Sequence, residues 1–470
     1  MLFSTPLFLF AFFPLVLFLF FIVPKQYRNL VLFIMSICFF LWGEPIFTWI
    51  ILLSASIDWV ICNLIYNTKE QSGKRWWLGF LGIFLNVALL AYYKYANFFF
   101  TNVNMLLENL HLGHSITWTK VLLPLGVSFL VFEKITYIVD VYKNEGKPAK
   151  ILDYLTYIFL FPKLLAGPIV KYHEIRDQLQ SRTTNIDNVY IGFYRFCYGL
   201  CKKVFIADTM SEYVDKVFAL PLVQVSTEMA WFAALSFTIQ IYFDFSGYSD
   251  MAIGMAKIFG FDLRENFNMP YIATNFTDFW KRWHISLSTW IKEYIYIPLG
   301  GNRVSTATTY RNLIISFFLS GLWHGANWTF IFWGLYHGLF LVIDRVFWKD
   351  MQKHLPRFIN VCITFFFLVV GWVFFRAVDI HYGLGFVFRM FSYHGTGAFL
   401  YVPNNIYFFF VLACFLIFIP LLPKYSKMEQ LFHSRFDGSL LKSIFGILLA
   451  IMALAKVLTT TFNPFLYFRF

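Results

Sequence analysis

The sequence contains few charged residues: Asp, Glu, Lys and Arg together make up 14% of its 470 residues. Soluble domains carry about a quarter charged residues, so this composition excludes an ordinary soluble globular protein. The chain also lacks a Gly/Ser-rich linker and any polar insert long enough to form a soluble domain. These absences predict one membrane-embedded domain that covers residues 1–470.

Cysteine is scarce too, and the common motifs of soluble enzymes are missing. The six Cys lie within or beside apolar stretches, and Cys197 and Cys201 are four residues apart with no second pair and no nearby His. We therefore expect no metal site. The patterns G-x-S-x-G, G-x-G-x-x-G and H-E-x-x-H and the P-loop are absent, so serine hydrolase, nucleotidase, dinucleotide-binding and zincin functions lack support.

Long apolar runs fill most of the chain, which is 59% hydrophobic and contains 62 Phe. Because a helix needs roughly 20 apolar residues to cross the hydrocarbon core, these runs predict an all-α polytopic integral membrane protein. We expect about 11–13 membrane helices, some of them re-entrant or interfacial. The long runs are residues 7–23, 45–66, 76–100, 121–141, 229–243, 328–343, 361–375, 406–422 and 441–457, and the shorter ones are 29–42, 154–170 and 312–322.

The formal charge of +12 comes from 38 Lys and Arg against 26 Asp and Glu. In a membrane protein, such an excess indicates cytoplasmic loops and not a nucleic-acid partner. Basic loops follow the first, third and fifth predicted spans, whereas the loops between them contain few cations. This alternation predicts a periplasmic N-terminus. Residues 154–170 lie between two basic loops, which indicates a re-entrant segment.

The centre of the chain, residues 124–338, concentrates Gly, Pro and ionisable side chains within apolar runs. Ionisable groups in a bilayer are costly and usually mark function, so the chemistry is expected here. Three clusters in the centre either line a cavity or form structural pairs between helices. They are residues 132–137 with Glu133 and Lys134, residues 242–250 with Asp244 and Asp250, and the turn at 298–303.

His284 lies in residues 278–293, which we predict to form one amphipathic helix. In a helical projection, an apolar face and a polar face separate, as expected for an element that lies at an interface or lines a cavity. His284 either faces a substrate or merely hydrogen-bonds a neighbouring carbonyl. The apolar face holds Trp280, Trp283, His284, Leu287 and Ile291, and the polar face holds Lys281, Arg282, Ser286, Ser288, Thr289, Lys292 and Glu293.

A second histidine, His324, follows an apolar run and has Gly321 and Gly325 close by, which would let a backbone or a ligand approach closely. Imidazole exchanges a proton near neutral pH, as general base catalysis on a hydroxyl requires. A packing role for His324 is the alternative. A similar pattern recurs around His337, and we expect only one of these two histidines to meet the substrate.

Nine stretches with distinctive motifs run through most of the chain. They are residues 123–129, 161–168, 202–208, 242–253, 265–271, 279–289, 299–303, 321–327 and 463–470. Together they resemble the membrane-bound O-acyltransferase (MBOAT) family, and within it the membrane subunits of bacterial alginate O-acetyltransferases. The resemblance implies an all-helical fold around a central funnel or tunnel. The two functional positions of the family fall on His284, in W-H-I-S, and on His324, in L-W-H-G.

The resemblance also implies an activity. The family takes an acyl thioester from the cytoplasm, here expected to be acetyl-CoA, and passes the acyl group outward. No permanently bound cofactor is expected. A separate periplasmic or membrane-anchored esterase-like partner of the SGNH type often completes the transfer in this branch. We therefore expect an O-acetyltransferase component in the bacterial inner membrane that modifies an exported polysaccharide, with alginate as the first candidate and peptidoglycan or another glycan as alternatives.

Within this interpretation, His324 is the general base or acyl-handling residue, and His284 assists it. Two further sets of residues complete the prediction. Lys281, Arg282 and Arg303 are candidates to hold the phosphates of the donor, and Trp283, Trp323, Asn327, Asp244 and Tyr248 are candidates to line the tunnel. A transporter or channel and a non-catalytic scaffold remain the alternative functions.

Overall fold

The computed structural model describes residues 2–113, 116–165, 167–394, 400–422, 440–459 and 465–466. Within these ranges the chain is mostly helical and contains no β-strand, which confirms the all-α prediction. Of the predicted terminal motif 463–470, all residues except 465 and 466 lie outside the described part of the chain.

The helices are numbered in chain order. They are α1 (Phe13–Ile22), α2 (Arg28–Gly43), α3 (Pro45–Tyr66), α4 (Gly73–Leu90), α5 (Ala96–Asn109), α6 (Val127–Tyr142), α7 (Ile151–Phe159), α8 (Phe161–Leu164), α9 (Tyr172–Gln180), α10 (Ile186–Cys201), α11 (Asp208–Phe218), α12 (Thr227–Ile258), α13 (Phe276–Arg282), α14 (Ile285–Ile291), α15 (Thr306–His324), α16 (Trp328–Ile343), α17 (Lys349–Gln352), α18 (Arg357–Arg376), α19 (Ile380–Phe391), α20 (Asn404–Phe418) and α21 (Leu440–Thr459).

Six helical segments of the described chain are long and apolar enough to cross a membrane, so the protein is a multi-pass membrane protein. They are Lys25–Gly43, Pro45–Tyr66, Gly73–Asn109, Trp328–Gln352, Arg357–Arg376 and Asn404–Leu421. Two shorter apolar helices, Phe8–Ile22 and Ile444–Thr459, accompany them. The expected total of 11–13 membrane helices stays a prediction.

α3 shows how sequence separates a lipid-facing side from a packed side. Large apolar side chains recur every three or four residues on the exposed face of this helix, at Ile46, Trp49, Leu53, Ile57, Val60 and Leu64. A soluble protein rarely leaves such a continuous apolar stripe uncovered, whereas lipid covers it without cost. The opposite face of α3 is buried and includes the carboxylate of Asp58.

The chain divides into two compact units, Met1–Phe193 with Ala252–Arg264 and Tyr194–Met251 with Glu265–Phe470. The boundaries fall within α10 and α12 and in the loop that follows α12. The single domain expected over 1–470 stays a prediction.

In the first unit, the ionisable side chains of α6 form buried ion pairs. Glu133 pairs with Lys163, and the Nζ atom of Lys134 lies 3.3 Å from the Oδ2 atom of Asp58. Burying a charge is costly unless an opposite charge compensates it, so these pairs hold helices together. Structural pairing between helices, one of the two alternatives for the 132–137 cluster, therefore accounts for the charges of Glu133 and Lys134.

The predicted re-entrant segment at 154–170 contains no continuous helix. α7 ends at Phe159 and the four-residue α8 begins at Phe161, with Pro162 in its first turn. Neither helix is long enough to cross a bilayer alone. The interruption agrees with the re-entrant path, which stays a prediction.

In the second unit, buried ion pairs also account for two carboxylates of α12, Asp244 and Asp250. Asp250 pairs with Arg195 at 2.9 Å and with Lys202 at 2.7 Å. Asp244 pairs with Lys203 at 3.0 Å. These contacts connect α12 to α10 and to the π-helical turn Lys202–Ala207 that follows α10.

Candidate active site

The predicted continuous helix over 278–293 is wrong, because the chain breaks at His284. α13 ends at Arg282, α14 begins at Ile285, and His284 between them has φ of +44°. The cause is the neighbouring segment 266–268, whose backbone forms hydrogen bonds with the residues on both sides of His284. The N–H of Asn268 donates to the carbonyl of Arg282 at 2.8 Å, and the N–H of Ile285 donates to the carbonyl of Asn266 at 2.9 Å.

The buried face that the projection predicted is nevertheless present. Trp280, Trp283, His284, Leu287 and Ile291 are all buried. The two short helices therefore still direct one apolar side inward, and the break sets His284 at their junction. The left-handed backbone of His284 costs roughly 1–3 kcal/mol for a non-glycine residue and is typical of functional sites.

Asn266 orients the imidazole of His284. Its Oδ1 atom accepts the backbone N–H of Ser286 at 3.2 Å and the hydroxyl of Ser286 at 2.9 Å, and its Nδ2 atom donates to Ser249 at 3.1 Å. The same Oδ1 atom lies 3.1 Å from Nδ1 of His284. Because a backbone N–H can only donate, the atom it faces is the amide oxygen, and Nδ1 of His284 must carry a proton.

His284 is thereby held as the tautomer whose Nε2 atom carries the lone pair. Burial lowers the pKa of His284 to about 3, so the ring is neutral at physiological pH. A neutral imidazole with a fixed tautomer has the form that a hydrogen-bond acceptor requires. Sequence analysis missed Asn266 and Ser286, although Asn266 lies in the 265–271 motif.

His324 is the last residue of α15 and is buried. The ring centroids of His324 and His284 are 6.4 Å apart, so the structure brings the two predicted histidines together. Trp323, Trp333 and Phe375 surround His324 with ring centroids between 5.0 and 5.2 Å away. This aromatic surrounding separates the pair from bulk water.

Glycines let α15 and α16 approach closely beside His324. A Cβ atom on Gly321 would lie 2.3 Å from the carbonyl oxygen of Phe330, and one on Gly334 would lie 2.3 Å from that of Phe317. The expected close approach at Gly321 is therefore made by the backbone of α16. A Cβ atom on Gly325 would meet the ring of Phe330 at 2.2 Å.

His337 lies on α16, a different helix from that of His324, and is fully buried. Its ring centroid is 4.6 Å from that of Trp333 and 5.2 Å from that of Trp280. Neither ring nitrogen of His337 has a hydrogen-bond partner among the described residues. Trp333 contacts both His337 and His324, so this tryptophan connects His337 to the histidine pair.

The five predicted tunnel-lining residues occupy different environments. Trp283 and Trp323 are buried, and Trp323 contacts His284 with ring centroids 5.8 Å apart. Asn327 caps α16, because its side chain accepts the N–H of Thr329 at 3.2 Å. Asp244 pairs with Lys203 and accepts the N–H of Leu466 at 2.7 Å, and Tyr248 stacks on Phe465. A tunnel-lining role for these residues stays a prediction.

The three predicted donor-binding cations do not share one site. Lys281 is exposed and lines a cavity of about 520 Å³. Arg282 pairs with Asp278 at 2.8 Å, and Arg303 is exposed outside this cavity. We call the space beside Lys281 the α13–α15 cavity. It is lined by Thr277, Trp280, Lys281, Ile285, Leu287, Ser288, Thr289, Ile291, Lys292, Tyr296, Asn302, Leu313, Ser316, Phe317, Ser320, Leu341, Arg345 and Lys349.

Among the residues that the structure describes, four cations and no carboxylate line the α13–α15 cavity. Arg345 and Lys349 were missed from the sequence because they belong to a separate segment that only folding brings to Lys281. Lys292 was placed on the polar face of 278–293 but was not assigned to the donor. Ser316 and Ser320 lie on the α15 side of the cavity, and Ser320 is one helical turn, about 6 Å along the axis, from His324. The cavity can hold an anion at its cationic side chains and an uncharged chain beside its apolar ones.

Three of the known proteins that this chain resembles are named as O-acetylases or O-acetyltransferases. The chain is 38% identical over 497 aligned residues to the probable alginate O-acetylase AlgI of Pseudomonas putida, which covers 100% of both chains. It is 42% identical over 396 residues to the probable alginate O-acetylase AlgI of Azotobacter vinelandii, covering 84% of this chain and 78% of that one. It is also 38% identical over 440 residues to the peptidoglycan O-acetyltransferase of Helicobacter pylori, covering 84% and 81%.

A family model matches as well. The model of MBOAT, membrane-bound O-acyltransferase family, covers residues 62–384, which include both histidines of the pair and the whole α13–α15 cavity. The match spans more than half of the chain, and the relatives above support the same assignment. The chain therefore belongs to the membrane-bound O-acyltransferase family and is a multi-pass membrane O-acyltransferase.

Proposed function

We propose that this protein transfers acetyl groups from acetyl-CoA, supplied from the cytoplasm, toward hydroxyl groups of an exported cell-envelope polysaccharide. The observation that carries the proposal is the buried pair of His284 and His324, whose ring centroids are 6.4 Å apart. The relatives named as alginate O-acetylases and as a peptidoglycan O-acetyltransferase support an acetyl group and a glycan acceptor. An alginate-like polymer is the first candidate, because that relative aligns over both full chains.

The chemistry needs a base for the acceptor hydroxyl. His324 removes the proton of the hydroxyl, and the oxygen attacks the carbonyl carbon of the thioester. The carbon–sulfur bond then breaks, and the thiolate of CoA leaves and receives the proton. His284, with its proton fixed on Nδ1 by Asn266, offers Nε2 as a hydrogen-bond acceptor beside His324. The hydroxyl belongs either to the glycan or to an esterase-like partner that passes the acetyl group on.

The α13–α15 cavity is our candidate for the donor. CoA carries several phosphate charges on one end and an uncharged pantetheine arm on the other. Lys281, Lys292, Arg345 and Lys349 supply positive charge without a competing carboxylate, and serine and apolar side chains line the remainder. In this placement the thioester end points toward Ser320, one turn from His324. A role for Arg282 and Arg303 at the donor phosphates stays a prediction.

The test is acetyl transfer by purified protein in lipid with radiolabelled acetyl-CoA, an alginate oligomer as acceptor, and the partner esterase where one is required. His324→Ala should lower turnover by about 10²–10⁴-fold, the range for loss of a general base. The matched control His354→Ala removes an exposed histidine and should retain full turnover. Equal turnover of wild type and His324→Ala would contradict the proposal and favour a transporter or a scaffold.

The donor site has a separate readout. Lys281→Gln with Lys349→Gln should raise the KM for acetyl-CoA, with little change in kcat, because these cations contact phosphates remote from the reacting bond. Lys353→Gln is the control, since this exposed lysine pairs with Asp350 and does not line the cavity. An unchanged KM in the double variant would place the donor elsewhere.

A further inference from the structure

A second cavity lies in the first unit, and the proposed function does not use it. Its volume is about 700 Å³, and we call it the α2–α9 cavity. Three chain segments form it: the start of α2, the start of α7 and the segment that follows α9. It is lined by Lys25, Gln26, Arg28, Asn29, Lys150, Leu152, Asp153, Leu179, Gln180, Ser181, Arg182, Thr183 and Thr184.

The lining of the α2–α9 cavity is strongly cationic. In the described part of the chain, Lys25, Arg28, Lys150 and Arg182 share this lining with one carboxylate, Asp153. That carboxylate already accepts a hydrogen bond from Nδ2 of Asn29 at 2.8 Å. Hydroxyls and amides supply most of the remaining polar groups. The cavity therefore offers an anion far more donors and positive charge than its own side chains consume.

The two arginines are held by neutral groups. Nη1 of Arg28 donates to Oγ1 of Thr184 at 2.6 Å, and Arg182 donates to Oδ1 of Asn29 at 2.7 Å and to the carbonyl of Phe259 at 2.9 Å. Nε of Arg28 and Nη2 of Arg182 are buried and have no hydrogen-bond partner among the described residues. Such unpaired buried donors cost stability unless a ligand or water satisfies them.

The guanidinium groups also repel each other. Burial and the positive charge of Arg28 lower the pKa of Arg182 to about 10. An anion bound in the cavity would reduce this repulsion. Phosphate fits this role, because its several oxygens match the planar fork of an arginine.

Exposed apolar side chains lie close in sequence to the same three segments. Ile22 ends α1 and Tyr27 directly precedes α2. Ile151 follows Lys150, and Ile186 comes two residues after Thr184. Ile186 is 78% exposed. A cationic cavity beside uncovered apolar side chains suits an amphiphile whose charged head is bound and whose chains remain in lipid.

We propose that the α2–α9 cavity is a binding site for a phosphate group, carried either by an anionic lipid head group or by a soluble phosphate ester. The site is separate from the acyl-transfer chemistry and rests on residues that the proposed function does not involve. The lining cations bind the phosphate oxygens, and the hydroxyls of Ser181, Thr183 and Thr184 complete the set of donors.

The test measures lipid binding to full-length protein in phosphatidylcholine nanodiscs by titration with fluorescent phosphatidylglycerol. Arg28→Gln should weaken binding at least fivefold. Lys25→Gln with Lys150→Gln should weaken it roughly 25-fold, about fivefold for each charge removed. Both lysines are exposed, so this double variant tests the site without disturbing packing. Lys69→Gln with Lys74→Gln removes the same charge from exposed lysines outside the cavity and should bind as the wild type does.

Competition with glycerol 3-phosphate distinguishes the two sources. Displacement of the lipid at micromolar glycerol 3-phosphate identifies a soluble ester, whereas no displacement below millimolar concentration identifies a lipid head group; each supports phosphate binding. Two results would overturn the proposal: unchanged affinity in both cavity variants, or an equal loss in the Lys69/Lys74 control.

Discussion

At the scale of single residues, the placement of His284 depends on Asn266. One amide oxygen accepts from Nδ1 of His284 and from the backbone N–H and the hydroxyl of Ser286. The left-handed backbone of His284 is unfavourable on its own and persists because these bonds determine it. Asn266 is therefore a positioning residue, since it fixes the tautomer and ring direction of a histidine beside His324.

We expect Asn266→Ala to lower kcat for acetyl transfer about 10–100-fold, the range seen when metal-bound histidines lose such an orienting partner. The KM for acetyl-CoA should stay within about twofold, because Asn266 lies outside the donor cavity. Steady-state kinetics with labelled acetyl-CoA give both values.

The control is Ser249→Ala, which removes only the acceptor for Nδ2 of Asn266. It leaves the oxygen that holds His284 in place, so its kcat should fall much less. A wild-type kcat in Asn266→Ala, or an equal fall in Ser249→Ala, would show that the orientation of His284 does not limit catalysis.

At the scale of helices, the contact between α15 and α16 sets the position of His324. Gly321 and Gly334 bring the two backbones together, and His324 follows Gly321 by less than one turn. Small residues at a helix crossing allow such an approach inside a membrane. The position of His324 thus depends on a contact between helices that any larger side chain would open.

Gly321→Ala should therefore separate the two helices, since its Cβ atom would lie 2.3 Å from the carbonyl oxygen of Phe330. Overpacking of this kind costs about 1–3 kcal/mol, so we expect a lower Tm in detergent and a loss of acetyl transfer. Gly73→Ala is the control, because nothing lies within 4 Å of its Cβ position. If Gly321→Ala kept both the Tm and the activity, the close crossing would not be what places His324.

A second element-scale contact joins α6 to α9 and depends on pH. Nδ1 of His173 lies 2.9 Å from Oδ2 of Asp140, and Glu145, Glu174 and Lys171 also lie close to this pair. The hydrogen bond to Asp140 raises the pKa of His173 above its usual value, against the opposing effect of burial. The folded state therefore favours the protonated ring.

This stabilisation is fully present below the unfolded pKa of about 6.5 and is lost as pH rises through the higher folded pKa. We expect His173→Gln to lower the Tm at about pH 6 and to match the wild type at about pH 9. Thermal unfolding across this range measures the difference, with the exposed His354→Gln as control. A difference in Tm that stayed constant with pH would contradict the ionic contribution of His173.

Local patterns in the sequence were enough to predict several elements. The runs 45–66 and 328–343 coincide with α3 and α16, because Pro45 begins one helix and Asn327 caps the other. The break at His284 could not be predicted from periodicity. It depends on hydrogen bonds with residues 266–268, which lie outside the segment whose periodicity was considered. Local patterns singled out His284 and His324, and the resemblance identified them as the functional positions, whereas the role of Asn266 required the folded structure.

The cations of the donor site also show that local periodicity predicts only part of a site. Lys281 was identified on the polar side of its own segment, and it does line the α13–α15 cavity. Arg345 and Lys349 come from the end of a separate membrane-spanning segment, Trp328–Gln352. Periodicity describes one element at a time, so a cavity assembled from several elements is visible only after folding.

At the scale of the whole molecule, loop charge and exposed apolar surface together determine how the chain enters a membrane. The candidate span Gly73–Asn109 has two lysines at its first end, Lys69 before it and Lys74 in its first turn, whereas residues 110–120 beyond its other end contain one lysine. By the positive-inside rule we predict that the first end of this span is cytoplasmic and that residues 110–120 lie outside. One span therefore tests the predicted orientation of the loops at its two ends.

Gln71→Cys and Thr117→Cys flank this span at exposed positions, in a background whose six native cysteines are replaced by serine. With a membrane-impermeant maleimide applied from the periplasmic side of intact cells, Thr117→Cys should be labelled, and Gln71→Cys only after the inner membrane is permeabilised. Labelling of Gln71→Cys alone would reverse the orientation. Labelling of both would mean that Gly73–Asn109 does not cross the membrane, because opposite ends of a span cannot share one compartment.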